Sequence, residues 1–121
     1  MSEGAHTWLI PDAYIPERST GDLTSHEAIC VLNTTGSDAH VELSFYFEDR
    51  DPIVGVATVV PRERTRHIRT DDRAALGGIE LPKDVPFAIR VHSDAPITVQ
   101  YSRLDSSQEA LALMTTIGHP A

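Results

Sequence analysis

Arg62, Arg64, Arg66 and Arg69 fall within eight residues, with His67 among them and Glu63 as the only acid. Four guanidinium groups against one carboxylate give this segment +3 in a chain whose net charge is −8. A planar guanidinium can bind a carboxylate or phosphate through two parallel hydrogen bonds, so such a stripe suits an anion, a polyol or an acidic partner surface. It also suits a sheet edge, where charge discourages edge-to-edge association. On an extended chain Arg62, Arg64 and Arg66 share one side with Ile68, while Glu63, Thr65, His67 and Arg69 share the other. Neither side is apolar enough to be a core face.

Other chemistries are poorly supported. His26, His40, His67 and His92 are scattered, and His40-x-Glu42 lacks the second histidine at i+2 that a jelly-roll metal site would need. No metal is expected. Cys30, the single cysteine, lies in an apolar run, where a thiol behaves as a small inert hydrophobe, and one cysteine excludes an internal disulfide. Ser25-His26-Glu27 has the letters of a catalytic triad, but adjacent residues on an extended chain point to opposite sides. Without a phosphate-loop glycine pattern or a paired-carboxylate motif, the chain reads as a non-enzyme with no cofactor. Arg90, His92, Thr98, Gln100 and Ser102, by contrast, would line one sheet surface with donors and acceptors suited to a hydroxylated ligand.

The elements that must position these groups are short and β-rich. Val41, Leu43, Phe45 and Phe47 alternate with His40, Glu42, Ser44, Tyr46 and Glu48, the signature of a strand with one buried face. Glu27 to Asn33 is apolar on both sides and reads as a central strand. Val54 to Val60 is rich in β-branched residues, and Trp8 to Ile10 and Arg64 to Thr70 are further strands. Phe87 to Val91 and Ile97 to Tyr101 alternate around Ser93-Asp94-Ala95-Pro96 and read as a hairpin. Asp12 to Thr24 and Asp71 to Asp84 read as loops. Capping-box spacing at Ser106–Glu109 predicts a helical turn near Ser106–Ala110, with Leu111–Ile117 open to either helix or strand. The fold expected is therefore all-β: one antiparallel β-sandwich domain over residues 1–121, jelly-roll-like, with at most a short helical turn near the C-terminus.

Composition narrows the setting. The chain has 121 residues, with 10 Lys+Arg against 18 Asp+Glu. Apolar stretches are far shorter than the ~18–20 residues of a membrane span. Met1-Ser2-Glu3-Gly4 is polar and acidic, unlike a basic-then-apolar leader, so the cytoplasm is the expected compartment. The acidic balance argues against nucleic acid as a partner.

Taken in order, the motifs resemble the Anabaena sensory rhodopsin transducer family from about Thr7 to Gly118. The resemblance rests on Trp8-Leu9-Ile10 with Tyr14-Ile15-Pro16, Ser25-His26-Glu27 leading into Cys30-Val31-Leu32-Asn33, and Asp38-Ala39-His40-Val41-Glu42. It continues through Pro61, Arg64-Thr65-Arg66-His67-Ile68-Arg69, Pro96-Ile97-Thr98-Val99-Gln100, Arg103-Leu104-Asp105-Ser106 and Gln108. The resemblance implies a β-sandwich that assembles as a homotetramer. It also implies a cytoplasmic role, either receiving a signal from a membrane rhodopsin or binding a small polar molecule such as a sugar. By motif matching, the ligand site would draw on Ser25, His26, Glu27, Arg64, Thr65, His67, Arg69, Gln100 and Arg103. The alternative implied role is docking of a membrane photoreceptor or another macromolecule through the arginine-rich strand. At Glu63 the sequence carries an acid where the photoreceptor-partner type has a basic residue, which reverses one charge in that strand.

Overall fold

The computed structural model describes residues 3–17, 26–105 and 112–121. Within them the chain forms eight strands and no helix: β1 (Ala5–Ala13), β2 (His26–Asn33), β3 (Ala39–Phe47), β4 (Ile53–Val60), β5 (Arg64–Arg69), β6 (Phe87–Asp105), β7 (Ala112–Ile117) and β8 (His119–Pro120). Every pairing is antiparallel. One sheet runs β4-β3-β6-β1-β8; the other runs β5-β2-β6-β7. The 19-residue β6 belongs to both. Its first half pairs with β1 and β3, and its second half with β2 and β7. The inner faces of the two sheets meet in one core that includes Leu43, Phe45, Ile29, Ile68, Ile89 and Ile97, so the expected all-β sandwich is what the chain adopts.

The expected hairpin is corrected to this single long strand. Ser93-Asp94-Ala95-Pro96 has turn composition, yet the inward parity never breaks: Phe87, Ile89, Val91, Ser93, Ala95, Ile97, Val99 and Tyr101 are all buried. A strand whose every second residue enters the core has no need to reverse. Pro96 is tolerated because it sits between Ser93, the last residue paired with β3, and Thr98, the first paired with β2, where a missing N–H costs no rung on that side. The Ser93 hydroxyl, though buried, accepts the N–H of Ala95 at 3.2 Å.

Other boundaries shift in ways that matter for the site. Asp12 and Ala13, expected in a loop, close β1, and Ala13 is fully buried. Strand β2 is central in pairing but covered on one face only: Ile29 and Val31 are buried, whereas Ala28 and Cys30 are half-buried and Leu32 is 44% exposed. The expectation of two apolar-covered faces fails because nothing among the described residues lies over the second. At the C-terminus the open alternative resolves to strand over Ala112–Ile117, while the helical turn expected at Ser106–Ala110 lies outside the described residues. Gly118 then carries the chain from β7 in one sheet to β8 in the other, donating its N–H to the Val99 carbonyl at 3.0 Å. A Cβ there would meet the Trp8 ring at 3.4 Å, an ordinary van der Waals contact. Trp8 itself is held by hydrogen bonds from its indole N–H to the carbonyls of Ile97, at 2.9 Å, and Ala5, at 3.1 Å.

The substitution Ala95→Gly separates the two architectures. In a hairpin, the Asp-Gly pair it creates would be a favoured turn and stabilising. In a continuous strand it loses a buried methyl and adds backbone entropy, costing about 1–2 kcal/mol. Urea unfolding is expected to show that loss; a gain in stability would restore the hairpin.

Candidate functional site

Residues opposite one another across paired strands share a face, so the ladders of the β5-β2-β6-β7 sheet sort the candidate residues. One outward row reads His67, Cys30, Gln100 and Ile117. The rows on either side read Arg69, Ala28, Ser102 and Thr115, and Thr65, Leu32 and Thr98. His26 lies opposite Leu104 and Leu113, one further row along the same face. His26, Thr65, His67, Arg69 and Gln100 are thus brought to one solvent-facing surface, with Cys30, Ser102 and Thr115 between them. Gln100 donates to the Thr115 hydroxyl, and the Cys30 thiol lies 3.8 Å from the Ser102 hydroxyl. The Arg69 guanidinium grips the Asp71 carboxylate at 2.9 and 2.7 Å. Despite the cost of its partial burial, that pairing holds Asp71 below the usual carboxylate range.

Glu27 and Arg103 take the opposite parity. Glu27 is fully buried, and its carboxylate is a junction. It accepts the Tyr14 N–H at 2.7 Å, the Tyr101 hydroxyl, and the Nε–H of Arg103, whose side chain is 21% exposed. The Glu27 carbonyl takes the Thr70 N–H at 2.9 Å and the Thr70 hydroxyl at 3.2 Å. Burial pushes the Glu27 carboxyl up from its ordinary value, against the lowering pull of Tyr101, Arg103 and the Tyr14 amide. Burial and then the Glu27 charge push the Tyr101 phenol up as well. Burial alone would lower Arg103, but the hydrogen bond and charge of Glu27, with further help from Asp12 and Tyr101, together outweigh it and raise the guanidinium.

The remaining candidates stand apart. Arg64 is opposite Asn33 and exposed, donating to its neighbour's carbonyl, that of Glu63, at 3.0 Å. Ser25 lies outside the described residues. Two members of the junction, Tyr14 and Tyr101, are absent from the sequence-derived set; the inward parity of Tyr101 with Val99 and Ile97 is the available signal for one of them. Thr115 is hidden in the segment open to two readings. Among the described residues no group of three or more His, Cys, Asp or Glu is arranged to hold a metal ion. No helix among them is long and apolar enough to cross a membrane.

Comparison with known proteins places these features in context. Residues 3–120 match the family model described as Anabaena sensory rhodopsin transducer. The crystal structure of Thermotoga maritima 1070 is 36% identical and superposes with a TM-score of 0.89, covering 99% of this chain and 97% of that one. The structure of the Anabaena sensory rhodopsin transducer is 39% identical, with a TM-score of 0.76, covering 90% of this chain and 96% of that one. No curated protein matches the chain.

The raised Glu27 carboxyl has a signed consequence for stability. A folded-state pKa above the unfolded one favours folding fully below the ordinary carboxylate value, and that contribution is lost as pH rises through the folded pKa. Urea unfolding of wild type and Glu27→Gln across the acidic-to-neutral range is expected to show wild type losing stability with rising pH relative to the variant. Parallel profiles would mean that Glu27 titrates at its ordinary value.

Proposed function

The chain belongs to the Anabaena sensory rhodopsin transducer family, and on that premise we propose a non-enzymatic cytoplasmic signalling module that binds a small polar, carbohydrate-like ligand and works as a homo-oligomer, a homotetramer. The ligand surface is the outward face of the β5-β2-β6-β7 sheet. The observation that carries this reading is the row His67–Cys30–Gln100, flanked by the Arg69–Ala28–Ser102 and Thr65–Leu32–Thr98 rows. Imidazole, amide and hydroxyl groups on neighbouring strands, ~4.8 Å apart, offer donors and acceptors to several ligand hydroxyls at once. Ala28, Cys30 and Leu32 between them form an apolar strip for the C–H face of a sugar ring. Glu27 and Arg103 support this surface from behind, since they fix the strands that carry it. Occupancy transmits a signal only by favouring one subunit arrangement over another.

A second reading, docking of a membrane photoreceptor or other acidic macromolecular surface through β5, is favoured by the state of its arginines. Arg64 and Arg66 are exposed and donate to backbone carbonyls, of Glu63 at 3.0 Å and Val59 at 2.8 Å, bonds that leave their charge in place.

Thermal unfolding with monosaccharides and sugar acids tests the first reading. Ligand at about 100 times its Kd is expected to add ~2.7 kcal/mol to stability, and His67→Ala to abolish the shift. No shift with any polyol, or one unchanged in His67→Ala, would reject the site. The docking reading expects binding to receptor-bearing vesicles that collapses between low and high salt, because exposed charges are screened over ~8 Å at physiological ionic strength. Salt-independent binding would count against it.

A further inference from the structure

A cavity of about 360 Å³ lies where the chain crosses from β7 to β8, bordered by Tyr101 and Arg103 of β6 and by β7 from Met114 to Ile117. This volume suits one small molecule rather than a peptide, at the low end of the ~300–1,000 Å³ typical of ligand pockets. Ile10 and Met114 give it apolar walls, and Arg103 and Asp12 give it opposite charges. The Arg103 side chain is pinned by its Nε–H bond to buried Glu27, so its guanidinium is held in place before any ligand arrives. A guanidinium has five N–H donors, of which that bond uses one.

The charge balance selects the ligand. Glu27 neutralises Arg103 as a pair, which leaves Asp12 as the net charge of the cavity. A purely anionic ligand would meet a net negative wall, and a purely cationic one would leave the outward donors of Arg103 facing no acceptor of its own. A molecule carrying both charges beside an apolar group matches Arg103, Asp12 and the apolar walls together. Asp12 is near enough to contribute to holding the Arg103 guanidinium charged.

We propose that this cavity binds an aliphatic α-amino acid, its carboxylate on Arg103, its ammonium on Asp12 and its side chain against Ile10 and Met114. This site does not depend on the sugar reading, because Asp12, Met114 and Arg103 lie outside the outward rows, although Thr115 and Ile117 border both.

Calorimetric titration of the full chain with L-leucine, with 4-methylpentanoate (which lacks the ammonium) and with 3-methylbutylamine (which lacks the carboxylate) tests it. Leucine is expected to bind saturably at one site per chain, and each analogue at least about tenfold more weakly. Asp12→Asn should weaken leucine by about tenfold, and Met114→Trp, which fills the cavity, should abolish binding. Asp12 and Met114 are exposed, so both variants should unfold near the wild-type temperature, and any thermal response to sugars should be unchanged. Absence of leucine binding, an analogue that binds as tightly as leucine, or an affinity unaltered in Asp12→Asn would overturn the proposal.

Discussion

A carboxylate with no solvent exposure is the constraint on which this sandwich turns. Desolvating Glu27 costs several kcal/mol, and only a close set of donors can offset it. The donors come from distant parts of the chain: the Tyr14 amide just beyond β1, and Tyr101 and Arg103 from the second half of β6. The Glu27 carbonyl adds Thr70, just beyond β5. Four segments are therefore tied at one end of the molecule by groups that lose their partner together if any strand moves. Removing one member leaves buried polar groups unpaired, which is where such networks become costly. The outward rows of the second sheet inherit their register from this tie, since β2, β5 and β6 are its three strands.

Strand β6 carries the consequence through the fold. Because its inward parity is unbroken from Phe87 to Tyr101, a single strand serves both sheets and needs no turn between them. Neighbouring residues on its second half serve opposite purposes: Gln100 and Ser102 face solvent beside Cys30 and Ala28, while Tyr101 and Arg103 face Glu27. The two chemical environments are separated by the thickness of one strand, and each is as rigid as the ladder between them.

Much of this was legible in the residues. Alternation located β3 and β-branched composition located β4, and the mixed faces of Arg64–Arg69 matched an edge strand with only Ile68 buried. Alternation also decides that Glu27 points with Ile29 and Val31, away from His26. Grouping His26, Glu27 and Arg103 with His67 as one site followed motif order and overrode that parity. The split at Ser93–Pro96 had a similar origin, because turn-forming residue types were weighted above an uninterrupted period of two. What parity could not supply is register. That Cys30 stands between His67 and Gln100 depends on pairings spanning 37 and 70 residues, which nothing local encodes.

The two edges of the β5-β2-β6-β7 sheet differ in kind, and the difference bears on assembly. Among the described strands β5 pairs only with β2, and β7 only with β6. The β5 edge displays Arg64, Arg66 and Arg69, and two identical edges of this type would repel on approach. The β7 edge has no such guard: Leu113 is 79% exposed, Ile117 60% and Met114 51%. Single exposed apolar residues are ordinary, but these three fall within five positions of an edge strand, Leu113 and Ile117 on one face and Met114 on the other. Charge therefore closes one side of the sheet to a second copy while hydrophobic exposure leaves the other side open. A homo-oligomer of this chain built along the second sheet would be expected to use β7 and to keep the arginines of β5 in solvent, where the docking reading needs them.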